Sequence, residues 1–122
     1  SSVRSSIDSA KDALTAKVCY LSEFLGGDCV TEGDYPAWEY RKESKLRDIM
    51  VDSYKELFGD GPEVKAIHAG LECGLFAKKI PGLDLISLGP NMYDVHTPDE
   101  RLSISSTIRI WEYLKLVLAR LK

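Results

Sequence analysis

The segment GPNMYDVHTPDERL, residues 89–102, gathers Asp94, His96, Asp99, Glu100 and Arg101 into one short run. An imidazole among carboxylates can ligate zinc or manganese through one nitrogen while an acid orients the other. It can equally be a loop histidine bonded to backbone. Spacing alone favours the second role, because His68, His96 and the local acids match no zinc pattern such as HExxH. His68 stands within an apolar run, where a packed, hydrogen-bonded role outweighs ligation. Cys73, close to His68, suggests a thiol nucleophile with a neighbouring base, but a cysteine just inside a helix more often packs as a small apolar residue. HAGLECG (68–74) places Gly70 at a turn into a helix, where backbone N–H groups can meet a carboxylate or phosphate. It lacks the Lys-Ser/Thr ending of a P-loop. Arg4 has the planar fork that grips a carboxylate in two places; an isolated arginine is ordinarily solvated.

The elements that position these residues follow from periodicity. Residues 7–25 carry Ile7, Ala10, Leu14, Val18, Leu21 and Leu25 at helical spacing, with Ser5 and Asp8 as a start signal and Gly26-Gly27 as a stop. Residues 28–40 read as an extended segment or short hairpin about Gly33-Asp34, Pro36 restricting any strand to an edge. A second helix runs from 44 to 58, with Leu46, Ile49, Met50, Leu57 and Phe58 inward and Gly59 closing it. Residues 63–70 and 83–89 read as strands, separated by a short helix over 71–80. The near-continuous apolar LDLISLG is the pattern of a strand covered on both faces. A last helix over 105–121 sets Ile108, Trp111, Leu114, Leu118 and Leu121 on one side. Helix–strand alternation from residue 44 predicts an α/β fold, a small parallel sheet covered by helices. In such sheets ligands collect at the carboxyl ends of strands, where HAGLECG and GPNMYDVHTPDER both begin.

The totals exclude several classes. The 122 residues suit one domain's worth of core, and 44% hydrophobic with 29% charged residues is ordinary for a globular chain. A net charge of −3 offers no electrostatic reason to bind nucleic acid or an anionic membrane. No apolar run reaches the length of a membrane span. Three cysteines, Cys19, Cys29 and Cys73, without CxxC spacing, read as reduced thiols in a cytoplasmic protein. The opening SSVR, without Met, reads like the inside of a strand, as in a fragment of a longer chain.

Five blocks taken together, SSVRSS, GDYPAWEYR, IHAGLECGLF, IPGLDLISLGP and DVHTPDERLSISS, resemble in order and spacing the C-terminal part of the bacterial Xaa-His dipeptidases. These aminoacyl-histidine dipeptidases are carnosinase-like co-catalytic zinc metallopeptidases. The resemblance covers essentially the whole chain; HAGLECG and DVHTPDERLS are its specific parts. It implies that 1–40 ends a lid domain and that 41–122 returns to a catalytic domain holding two divalent metal ions, zinc foremost. His96 then falls on a metal ligand, Arg4 on the arginine that binds the substrate carboxylate, and Gly70 on a turn contacting the same end of the dipeptide. Glu72 matches the pattern without a defined role. The remaining ligands and the general-base glutamate have no counterpart here, so the chain alone is expected to be inactive. It is also expected to self-associate, since neighbours normally cover such apolar segments. The rival readings are a free-standing non-catalytic binding or regulatory module of the same fold, and a small cysteine hydrolase built on Cys73 and His68.

Overall fold

The computed structural model describes residues 2–67 and 72–122. It is mostly helical: α1 (Asp8–Phe24), α2 (Lys45–Phe58), α3 (Glu72–Lys79), a hairpin of β1 (Met92–Tyr93) and β2 (Arg101–Leu102), and α4 (Ile104–Arg120). These helices lie within a residue of the spans read from periodicity. Local signals explain the agreement. Ser44 caps α2 by accepting the Arg47 N–H at 3.0 Å, and Gly59 ends it at φ 85°. Ser103 caps α4 by accepting from the Ser106 N–H at 3.3 Å. α1 departs from expectation, since its N-cap is Ile7 and Ser5 instead accepts the Ile7 N–H at 3.1 Å.

The expected parallel sheet is not formed. Among the described residues the sheet is the antiparallel pair β1–β2, with Met92 opposite Leu102 and Tyr93 opposite Arg101. Residues 83–90 belong to no ladder, and neither do the described residues of 63–70, the segment 28–40 or the opening SSVR. An apolar run supplies burial but not the partners its backbone N–H and C=O groups require. No other segment of the described chain offers 83–90 a ladder. Gly33 takes a positive φ of 67°, but the residues around it form no hydrogen-bonded turn.

The chain divides into two compact units. One comprises Ser1–Lys42 with Val64–Leu85, the other Glu43–Glu63 with Ile86–Lys122. In the first, the segment 34–37 is strapped to α1. Lys11 Nζ donates to Asp34 Oδ1 at 2.6 Å and to the Tyr35 carbonyl at 2.8 Å, and Asp8 accepts the Ala37 N–H at 3.0 Å. That N–H, and then Lys11, hold the Asp8 carboxyl below its ordinary value. Its bond is therefore fully present at neutral pH and weakens as acid titrates the carboxylate. Arg41 donates to the Gly82 carbonyl at 2.8 Å. Cys19 and Cys29 are joined by a disulfide, which corrects the reading of three reduced thiols; Cys73 alone is free.

In the second unit, α2 and α4 pack around Met50, Tyr113 and Val117, with Leu46, Ile49, Tyr54, Ile86 and Ile110 against them. Tyr113 Oη donates to the buried Met50 carbonyl at 2.8 Å, a bond contributing about 1 kcal/mol. The Tyr54 ring meets Tyr113 edge-on, centroids 5.4 Å apart. Arg120 pairs with Glu56 and also donates to Ser53, which is fully buried. This packing corrects the expected faces. Leu57 and Phe58 stand exposed at the end of α2, and so do Ile108, Trp111 and Leu118 of α4 and its C-cap Leu121. α4 has apolar side chains around most of its circumference, and α2 covers the side carrying Tyr113 and Val117.

Candidate functional site

The hairpin that carries His96 is anchored at its base and tied at its tip. At the base, Asn91 N–H donates to Ser106 Oγ at 2.9 Å, and Ser103 N–H donates to the Asn91 carbonyl at 3.0 Å. Ser106 is buried and its hydroxyl donates in turn to the Ser103 carbonyl at 2.9 Å. The first turn of α4 therefore fixes both ends of the loop. At the tip, Thr97 donates twice to the Asp94 carbonyl, from N at 3.2 Å and from Oγ1 at 2.7 Å. Thr97 Oγ1 accepts from the Asp99 N–H and the Thr97 carbonyl from the Glu100 N–H, each at 3.2 Å. Arg101 closes the hairpin with an ion pair to Asp94 Oδ2 at 2.7 Å, its guanidinium 5.7 Å from the Tyr93 ring centroid.

His96 sits at this tip, exposed, with φ 65°. Its backbone N–H donates to Glu100 Oε2 at 2.8 Å. Among the described residues no hydrogen bond engages its imidazole. The nearby Glu100 carboxylate thus holds the main chain of His96 and not its ring. Asp94, Thr97, Pro98, Asp99, Glu100 and Arg101 line a shallow, open depression beside it. Despite these acids, no three His, Cys, Asp or Glu side chains among the described residues converge as a metal-holding group. The residues present fit one ligand of a metal centre and not a centre by themselves.

Arg4 is exposed on the irregular segment before α1, in the first unit, whereas His96 belongs to the second. Gly70 and His68 lie outside the described residues. Glu72 opens α3 and is exposed. Burial, and then the charge of Glu72, push the Cys73 thiol up. A nucleophilic cysteine needs the opposite shift, so the structure gives no support to a cysteine hydrolase. The bond from His96 to Glu100 is not legible in the residue spacing alone. A carboxylate four residues after a residue type tolerated in the left-handed region was the available signal.

No family model matches the chain. Over 112 residues, 92% of its length, it is 38% identical to the cytosol non-specific dipeptidase of Escherichia coli (strain K12), of which it spans 23%. Its structure superposes on the crystal structure of aminoacylhistidine dipeptidase from Vibrio alginolyticus with a TM-score of 0.77 and 33% identity. That match covers 93% of this chain and 23% of the other. The chain thus spans about a quarter of the length of the relatives it matches. Sequence and structure agree that it is a homologue of the aminoacyl-histidine dipeptidase family, to a C-terminal segment of which it corresponds.

Proposed function

We propose that this chain serves as the C-terminal part of a cytoplasmic, metal-dependent dipeptidase that hydrolyses Xaa-His and related dipeptides. In this reading 1–40 belongs to a lid domain and 41–122 to the catalytic domain. The observation that carries it is the 38% identity to a dipeptidase along 92% of the chain. A tied loop presenting an imidazole that no hydrogen bond engages among the described residues supports it further. Two divalent ions, zinc foremost, would when bound supply an activated water and electrostatic stabilisation of the tetrahedral intermediate.

The chain's own residues have narrower tasks. His96 supplies one ligand nitrogen from a loop whose backbone is held independently of the ring. Arg4 grips the dipeptide's carboxylate through paired charge-assisted hydrogen bonds. The backbone at Gly70 contacts the same end of the substrate. The general base and the other ligands would come from residues outside these 122.

Supplied with zinc or manganese, the isolated chain is expected to show no turnover of an aminoacyl-histidine substrate. Turnover that survives repurification and vanishes in His96→Ala would overturn the reading. The same reading expects the isolated chain to self-associate, because Ile104, Ile108, Trp111 and Leu118 of α4 and its C-cap Leu121 are all exposed. Sedimentation velocity should find species larger than the monomer. A compact monomer that binds no hydrophobic dye would count against it.

A further inference from the structure

We propose that Glu100 is a positioning residue for His96, acting through the main chain: its carboxylate fixes the His96 N–H and so sets where the imidazole stands. The inference rests on the proposed reading of His96 as a ligand. Two non-glycine residues two positions apart, Asp94 at φ 52° and His96 at φ 65°, occupy the left-handed region. Such backbone persists where its surroundings over-determine it. For Asp94 the restraints are the two Thr97 bonds to its carbonyl and the Arg101 ion pair on its side chain. For His96 the restraint is the 2.8 Å bond to Glu100 Oε2.

Glu100 is itself held, since its N–H donates to the Thr97 carbonyl and it adjoins β2, whose Arg101 pairs with Tyr93. A chain of fixed groups thus runs from the hairpin ladder through Glu100 to the His96 backbone. The imidazole stays outside that chain. Because Cβ direction follows backbone dihedrals, releasing the N–H lets φ return toward negative values and swings the ring away from its present direction. Glu100 is then worth nothing to the ring's chemistry directly and a great deal to its address.

The test has a backbone arm and a metal arm. In the 122-residue chain, Glu100→Ala should speed exchange of the His96 amide hydrogen about 10- to 100-fold, the factor one charge-assisted hydrogen bond represents. Glu100→Gln, which keeps an acceptor oxygen, should restore most of the protection. In a full-length dipeptidase carrying this segment, Glu100→Ala should weaken zinc binding by about 10- to 100-fold, the usual effect of losing a group that orients a ligand. Glu100→Gln should bind zinc close to wild type. Unchanged amide exchange in Glu100→Ala overturns the proposal. So does wild-type zinc affinity in Glu100→Ala when His96→Ala has lost it, and so does a Gln variant as impaired as the Ala variant in both arms. If His96→Ala itself keeps its zinc, the ligand reading fails, and amide exchange alone still decides whether Glu100 holds His96.

Discussion

His96→Ala in a full-length dipeptidase carrying this segment should lose metal and most of kcat, whereas Arg4→Ala should keep its metal and lose only kcat/KM. The two residues lie in separate compact units and are proposed for separate tasks, so their losses should differ in kind. Removing a ligand should weaken metal binding by more than the about 10- to 100-fold that follows loss of a residue merely orienting a ligand. Removing Arg4 takes away charged hydrogen bonds to the substrate, typically about 1.5–3 kcal/mol in kcat/KM. Arg4→Lys should rescue little, because an ammonium does not reproduce the planar fork. Elemental analysis beside steady-state kinetics checks both. Loss of metal in Arg4→Ala, or full metal and normal turnover in His96→Ala, would show the assignments to be wrong.

What the sequence could reveal depended on how local the deciding physics was. Ser44 and Gly59 mark the ends of α2 because capping and left-handed closure involve only neighbouring residues. The buried face of α4 was not legible. Ile108, Trp111 and Leu118 are spaced as regularly as Tyr113 and Val117, and only the position of α2 decides which set is covered. The sheet failed for a related reason: an apolar run such as 83–88 states a need for burial but not a ladder partner, and among the described residues none is present. Pairing of Cys19 with Cys29 depends on how the chain turns after α1, which spacing does not reveal. At the candidate site the cluster of residue types was visible at once. Its wiring was not, because whether Glu100 meets the ring or the backbone of His96 is settled by two backbone dihedrals.

Gly74→Ala should destabilise the first unit, although helix propensity alone predicts a gain. Alanine inside a helix is favoured over glycine by about 1 kcal/mol. At Gly74, however, an added Cβ would stand 2.6 Å from the Pro36 carbonyl oxygen and 3.6 Å from that of Ala37. The obstacle is backbone, and it is not free to retreat. The Ala37 N–H is held by Asp8, and the Tyr35 carbonyl by Lys11, whose side chain is 13% exposed. Either the strap leaves α1 and gives up those bonds, or α3 withdraws from the strap. Overpacking of this kind costs about 1–3 kcal/mol, which outweighs the propensity gain over most of that range. Gly89→Ala is the matched control, since a Cβ there meets nothing within 4 Å and its φ is not positive. That substitution should be neutral, or stabilising by up to about 1 kcal/mol through the unfolded chain. Chemical denaturation of the two variants beside wild type decides the matter. A Gly74→Ala midpoint at or above that of Gly89→Ala would mean that the strap does not press on α3 as the structure has it. A lowered midpoint that Asp8→Ala, which removes the acceptor of the Ala37 N–H, partly relieves in the double variant would identify the strap's hold on α1 as the reason the clash cannot relax.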